Sequence, residues 1–229
     1  MGGVAQTEEL VVAVLVADGV TATDAVNAAE ALAMVPGATV KFVGPEKGPQ
    51  RTWPGAFHLV ADYTLDEVPA PDVIVVPADL SSFANPVTLA WLQQAHETSQ
   101  WTTSVCAGAL TLGAAGILAG KQATTHWFVK DMLEAMGAKY VTERWVRDGK
   151  VVTAAGNSAG IDMVLFLIGE IAGADVARAV QLGMEYDPAP PFDSGSLRTA
   201  DAGTVELATR FIQAGLTEAG APLAMLTAG

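Results

Sequence analysis

The chain has little of several residue types on which common functions depend. Its 229 residues include a single cysteine, Cys106, which excludes an intramolecular disulfide and fits a reducing compartment, so we expect a cytoplasmic protein. The three histidines form no HExxH pair, and no CxxC is present, so we predict no metal site. Neither GxGxxG nor GxxxxGK[ST] spacing occurs, so no glycine-rich phosphate loop is predicted.

Basic residues and long apolar runs are also scarce. Twelve Lys and Arg residues face 25 Asp and Glu residues, and the net charge of −13 argues against binding to nucleic acid or to an acidic membrane. No apolar run reaches the roughly 18 residues that a membrane span needs. The amino-terminal MGGVAQTEEL lacks the basic region and apolar core of a signal peptide. We therefore expect no membrane partner.

The apolar residues that are present follow an α/β pattern. Hydrophobic residues make up 51% of the chain, and the mean hydropathy is +0.34, which is typical of a buried parallel sheet. Strands are predicted at 10–17, 40–43, 72–76 and 101–105, and hairpins at 50–60 and 145–153. Helices are predicted at 21–34, 86–98, 107–116, 126–136, 158–172, 175–186 and 200–219, with Asn85, Ser158 and Asp175 as caps. The alternation predicts an α/β fold with a parallel sheet and helices on both faces.

The same patterns predict one domain. Residues 1–9 are expected to be a flexible amino terminus, and residues 10–196 a single α/β domain that ends in the proline-rich stretch 187–196. Residues 197–229 are expected to form a helix and a frayed tail that pack on the same domain.

Residues 101–127, WTTSVCAGALTLGAAGILAGKQATTHW, place Cys106 between a predicted strand and a predicted helix. Small neighbours allow a sharp turn there, which is the geometry of a nucleophile elbow. A lone cysteine is often only a small core residue, but this setting favours a reactive thiol. We predict that the helix dipole and the amides of Ala107 and Gly108 lower its pKa from about 8.5 and hold developing charge.

The stretch SVCAGALTLGAAGILAGKQATTHW resembles the elbow of the isocyanide (isonitrile) hydratases. These belong to a flavodoxin-like superfamily that also contains cysteine hydrolases, protein deglycases and class I glutamine-amidotransferase-like domains. The resemblance spans residues 10–196 and implies a flavodoxin-like fold and a homodimer. It also implies cofactor-independent hydration of a small-molecule isocyanide to an N-substituted formamide, through a covalent thioimidate on Cys106.

The resemblance further implies two groups of site residues. Asp24 would carry protons, although an aspartate in the first turn of a helix is ordinary without any such role. The Gly156-Asn157 turn would form a wall of the substrate pocket. His126 either contacts Cys106, as a similarly placed histidine does in deglycase-like relatives, or hydrogen-bonds the backbone.

Two positions depart from the hydratase pattern. Ala107 stands where the family often has threonine, and Pro77-Ala78-Asp79 stands where the family usually has a Gly-Gly pair after the proline. Ala78 and Asp79 are predicted to line the substrate pocket. Asp79 either adds a second carboxylate beside Asp24, or points to solvent and caps the next turn.

Two other functions remain compatible with the sequence. One is another cysteine-dependent hydrolase or a glyoxalase-like enzyme that uses the same elbow. The other is a ligand- or redox-sensing domain related to transcription regulators, since an exposed thiolate oxidises readily. Against a complete regulator, the roughly 30 residues after Arg198 are too few for a pair of helix-turn-helix units.

Overall fold

Strands and helices alternate along the chain in the computed structural model, which describes residues 9–221. The strands are β1 (Leu10–Leu15), β2 (Val20–Thr21), β3 (Ala38–Gly44), β4 (Gly48–Trp53), β5 (His58–Ala61), β6 (Tyr63–Thr64), β7 (Val73–Val76), β8 (Trp101–Val105), β9 (Gln122–Ala123), β10 (Lys139–Tyr140), β11 (Trp145–Asp148) and β12 (Val151–Ala154). The helices are α1 (Ala22–Ala33), α2 (Pro86–Thr98), α3 (Gly108–Ala114), α4 (Lys130–Ala135), α5 (Asn157–Ala172), α6 (Ala174–Gly183) and α7 (Ala202–Glu218). Single turns of 3-10 helix lie at Leu65–Glu67, Ser82–Ala84 and Trp127–Val129.

Seven strands form the central sheet, in the order β11-β12-β8-β7-β1-β3-β6. All neighbours are parallel except β11, which is the antiparallel arm of a hairpin with β12. The inner order β3-β1-β7-β8-β12 is the doubly wound order of flavodoxin-like folds, which confirms the predicted fold class. Strand order reverses between β1 and β7, and ligands of such sheets bind beyond the carboxyl ends of the strands at this point.

The central strands are buried on both faces because helices cover both sides of the sheet. Along β1, Ala13 and Leu15 join a hydrophobic cluster with α2, α3, α4 and α7, whereas Val12 and Val14 join a second cluster with α1, α5 and α6. This alternation follows from side chains that point to opposite faces at successive strand positions. The result is a three-layer α/β/α arrangement.

Several predicted boundaries are confirmed. The Asn85 side chain accepts hydrogen bonds from the amides of Val87 and Thr88, and Pro86 begins α2. Both predicted hairpins are present: β4 pairs antiparallel with β5, and β11 with β12.

Three helix predictions are wrong in detail. The predicted helix 126–136 is a 3-10 turn followed by the short helix α4, because the His126 side chain caps the turn. Ser158 is not a cap, since α5 begins one residue earlier after Gly156. Asp175 lies in the first turn of α6, whose amino-terminal cap is Gly173. Helix α6 ends at Gly183, before the predicted limit of 186.

Helix α7 packs on the central domain. Asp201 caps it by accepting a hydrogen bond from the Thr204 amide, and Leu216 is buried in the cluster that contains α3. The predicted frayed tail and residues 1–8 of the predicted flexible amino terminus lie outside the described residues. From residue 9 to residue 221, no helix is long and apolar enough to cross a membrane.

Candidate active site

Cys106 follows β8 in a conformation that residues other than glycine rarely adopt. Its φ is 60°, which lies in the left-handed region and costs on the order of 1–3 kcal/mol. The backbone is held from both sides: the Cys106 amide donates to the Ala154 carbonyl at 2.9 Å, and its carbonyl accepts from the Thr125 hydroxyl at 2.9 Å. The turn therefore fixes the thiol at the carboxyl end of the sheet, as the predicted elbow requires.

Gly108 allows helix α3 to begin directly against the end of β7. A Cβ atom at this position would lie 2.1 Å from the Val76 carbonyl oxygen and 2.7 Å from that of Pro77. Only glycine permits so close an approach of two backbones. Gly108 was predicted to bind substrate, but it is not part of the lining of the cavity at Cys106.

Asp24 lies on α1 with its carboxyl group inside the protein. It is 1% exposed, and Oδ2 accepts a long hydrogen bond from the Ala78 amide at 3.4 Å. Oδ1 is buried and has no hydrogen-bond partner of ordinary geometry among the described residues. Burial raises the pKa of Asp24 to about 7, while the Ala78 amide and the nearby Cys106 thiol act in the opposite direction. A carboxyl with this pKa can accept and release a proton near neutral pH.

The pKa of the Cys106 thiol moves opposite to the sequence prediction. Burial raises it well above its ordinary value, the Asp24 charge raises it further, and the Ala107 amide opposes both effects. Helix α3 begins at Gly108, two residues after Cys106. At neutral pH the thiol therefore keeps its proton, and Asp24 is the group beside it that can take that proton.

The Asp79 side chain is hydrogen-bonded to the turn that follows it. Its Oδ1 accepts from the amides of Ser81 at 2.8 Å and Ser82 at 2.6 Å, so it caps the next turn as one interpretation expected. It does not point to solvent, since it is only 6% exposed. Burial raises its pKa and these amides lower it, but Asp79 is not among the groups that shift the pKa of Cys106.

His126 is held in its neutral form. Its Nδ1 accepts from the Phe128 amide at 3.4 Å, which places the ring proton on Nε2, and burial lowers its pKa to about 4. The ring also lies against Trp127, with centroids 5.4 Å apart. His126 thus bonds the backbone, as one of the two interpretations expected, and it lines the cavity at Cys106 as well.

An apolar cavity opens at the thiol, with about 560 Å³ of space, part of it open to solvent. Three predicted residues line it with Cys106: Ala78, Asp79 and Ala107. Gly156 and Asn157 line a neighbouring cavity instead, which shares His126 with the first. The other lining residues are Gly19, Thr21, Trp53, Leu80, Phe128, Val129, Ile212 and Leu216.

Trp53, Ile212 and Leu216 were not anticipated from the sequence. They come from a hairpin and from α7, which are far from Cys106 along the chain, and no local pattern indicates that these segments meet. Within residues 9–221, no group of three His, Cys, Asp or Glu side chains is arranged to hold a metal ion.

The fold and the site together define a flavodoxin-like α/β protein with a cysteine elbow. The sequence profile of the DJ-1/PfpI family matches residues 11–170, and the chain belongs to this family.

The relatives of the chain include an enzyme and a solved structure. An isonitrile hydratase from Pseudomonas putida is 41% identical over 184 residues, which are 79% of this chain and 80% of that protein. The crystal structure of a ThiJ/PfpI family protein from Pseudomonas syringae superposes with a TM-score of 0.86 at 31% identity, covering 96% of this chain and 91% of that one. The glutathione-independent glyoxalase DJR-1.2 from Caenorhabditis elegans is 28% identical over 149 residues, which are 63% of this chain and 79% of that protein.

Proposed function

We propose that the protein hydrates an isocyanide to an N-substituted formamide through a covalent thioimidate on Cys106. The observation that carries the proposal is a buried carboxyl, Asp24, beside a thiol that opens into an apolar cavity. The similarity to an isonitrile hydratase over four-fifths of both chains supports it. No cofactor is required for the steps described below.

In the first step the thiol adds to the terminal carbon of R–N≡C. Asp24 as carboxylate accepts the thiol proton while sulfur forms its bond to carbon, and the same proton is then delivered to that carbon. The product is the thioimidate R–N=CH–S–Cys106. This step is an addition that uses one bond of the isocyanide and the S–H bond, so no leaving group is released.

In the second step water adds to the thioimidate carbon. Asp24 accepts a proton from the water molecule as the water oxygen bonds to the thioimidate carbon, and the thioimidate nitrogen gains a proton. The tetrahedral species then expels sulfur, which recovers a proton, and R–NH–CHO is released. In the net reaction, one isocyanide and one water molecule are consumed and one formamide is formed.

The pKa of Asp24 sets the pH dependence of this sequence. Asp24 must be ionised to accept the thiol proton, and its pKa is raised to about 7. Activity should therefore rise as the pH rises through about 7.

The nucleophile is tested by Cys106→Ser and Cys106→Ala. We expect both variants to lose essentially all turnover of an alkyl isocyanide, followed by the infrared band of the N≡C group, while circular dichroism stays that of the parent. Mass spectrometry of the parent during turnover should show Cys106 heavier by the mass of the isocyanide. Full activity of Cys106→Ala would refute the covalent mechanism.

A glyoxalase-like reaction is the second candidate, and the similarity to the Caenorhabditis elegans glyoxalase favours it. The same thiol would then attack an aldehyde carbon. Turnover of methylglyoxal without turnover of any isocyanide would select this function. Absence of turnover of both substrates would instead favour a ligand- or redox-sensing role.

A further inference from the structure

Helix α7 supplies one wall of the cavity at Cys106. Ile212 and Leu216 both line this cavity, and Leu216 is also part of the hydrophobic core. The helix lies beyond residues 11–170, which the family profile matches. The wall therefore comes from a part of the chain outside the stretch that the family profile matches.

Trp53 completes this wall by lying directly on α7. A Cβ atom at Gly215 would be only 3.0 Å from Cζ2 of Trp53, so the indole rests on the backbone of the helix. Trp53 also lines a more polar cavity with Asp18, Arg51 and Glu218. The indole thus borders both the apolar cavity at the thiol and this more polar one.

Within the described part of the chain, the apolar cavity has no cationic side chain that would pair with an anionic ligand group at neutral pH. None of the described residues that line it is a lysine or an arginine, and His126 is neutral. The buried carboxyl of Asp79 is already bonded to its own turn. An anionic group would lose its hydration here and gain no counter-charge.

We propose that Ile212 and Leu216 of α7, together with Trp53, select the substrate by binding an uncharged, apolar substituent on the isocyanide nitrogen. The proposal rests on the proposed function and adds the substrate class and the residues that recognise it. One methylene more or less in an apolar pocket discriminates between substrates by factors of about 10 to 200. Selectivity for long over short alkyl groups is therefore the property to measure.

The first experiment compares methyl isocyanide with n-pentyl isocyanide. The parent should show a kcat/KM for the pentyl compound at least about tenfold above that for the methyl compound, and Ile212→Ala should lower this ratio about tenfold. Ile212 is chosen because it is only partly buried, whereas truncation of Leu216 would also disturb the core. The pentyl compound with a carboxylate at its end should react at least tenfold more slowly than pentyl isocyanide itself.

Leu207→Ala is the matched control. Like Ile212→Ala, it removes three carbons from a side chain of α7, but this side chain is 42% exposed and does not line the cavity. This control should keep the ratio of the parent. The proposal fails if Ile212→Ala keeps the parent ratio, if Leu207→Ala lowers it equally, or if the carboxylate compound reacts as fast as the pentyl compound.

A second experiment separates this inference from the proposed function. Iodoacetamide and N-pentyl iodoacetamide alkylate a thiol by forming an S–C bond and releasing iodide, whatever the natural substrate is. The preference of Cys106 for the pentyl reagent should fall about tenfold in Ile212→Ala and persist in Leu207→Ala. If the parent hydrates no isocyanide but shows this pattern, the proposed function fails while α7 remains the selecting wall. An equal preference for the pentyl reagent in all three proteins would refute the proposal that α7 selects the substituent.

Discussion

Two neighbouring groups, Asp24 and the Cys106 thiol, compete for a proton at the centre of the site. Burial raises the pKa of both groups, the Asp24 charge raises the pKa of the thiol further, and the thiol lowers the pKa of Asp24. A thiolate is therefore not the resting state, and in the proposed mechanism Asp24 is the nearby base that would form it during attack. Asp79 is also buried, but its Oδ1 accepts hydrogen bonds from two backbone amides.

At the residue scale, pH-dependent alkylation of Cys106 should distinguish the two carboxylates. Asp24→Asn removes a negative charge that raises the pKa of the thiol, so alkylation should begin at lower pH than in the parent. Asp79→Asn keeps the turn and should leave the alkylation curve unchanged.

The same Asp24→Asn variant should lose about two orders of magnitude or more in kcat, together with the rise in activity through pH 7. Superimposable alkylation curves for parent and Asp24→Asn, or turnover within a few-fold of the parent, would remove Asp24 from the chemistry.

At the element scale, the elbow depends on how closely α3 meets β7. Gly108→Ala should destabilise the protein by about 1–3 kcal/mol and lower activity, because the new methyl group would overlap the Val76 carbonyl and displace the helix that follows Cys106. Gly195→Ala is the matched control, since a Cβ there meets nothing within 4 Å and should change stability by less than about 0.5 kcal/mol. Urea denaturation measures both, and equal midpoints for the two variants would contradict this account of Gly108.

Elements whose ends are fixed by local chemistry were predicted well from the sequence. Asn85 and Pro86 define the start of α2, and Asp148-Gly149 defines a hairpin, because each signal acts within a few residues. The helix predicted at 126–136 was wrong because His126 bonds the Phe128 amide and begins a 3-10 turn, an interaction that a hydrophobic pattern does not reveal.

At the scale of the whole molecule, α7 is expected to unfold with the rest of the domain. Leu216 is buried in the cluster that α2, α3 and α4 share, so Leu216→Ala should lower the free energy of unfolding by about 2–5 kcal/mol. Far-UV circular dichroism and tryptophan fluorescence should report one shared transition in both parent and variant. Two separate transitions, of which only one moves in the variant, would show that α7 is not part of the same cooperative unit.

The site was only partly predictable from the sequence for a related reason. Cys106, Ala78 and Asp79 follow strands of one parallel sheet, and Asp24 lies on the helix that comes after β1 and β2, so the order of elements is enough to bring them to one edge. Trp53 and Ile212 meet at the cavity across about 160 residues, and that encounter depends on how a hairpin and a distant helix dock. The homodimer implied by the resemblance remains a prediction.

The position of α7 late in the chain has a consequence during synthesis on the ribosome. Asp24, Trp53 and Cys106 all emerge before residues 202–218 are made, but a domain generally folds as one unit. The nascent chain is therefore expected to assemble the thiol and its base only after α7 has been synthesised. Until α7 docks, the Cys106 thiol lacks the enclosing cleft and is accessible to electrophiles.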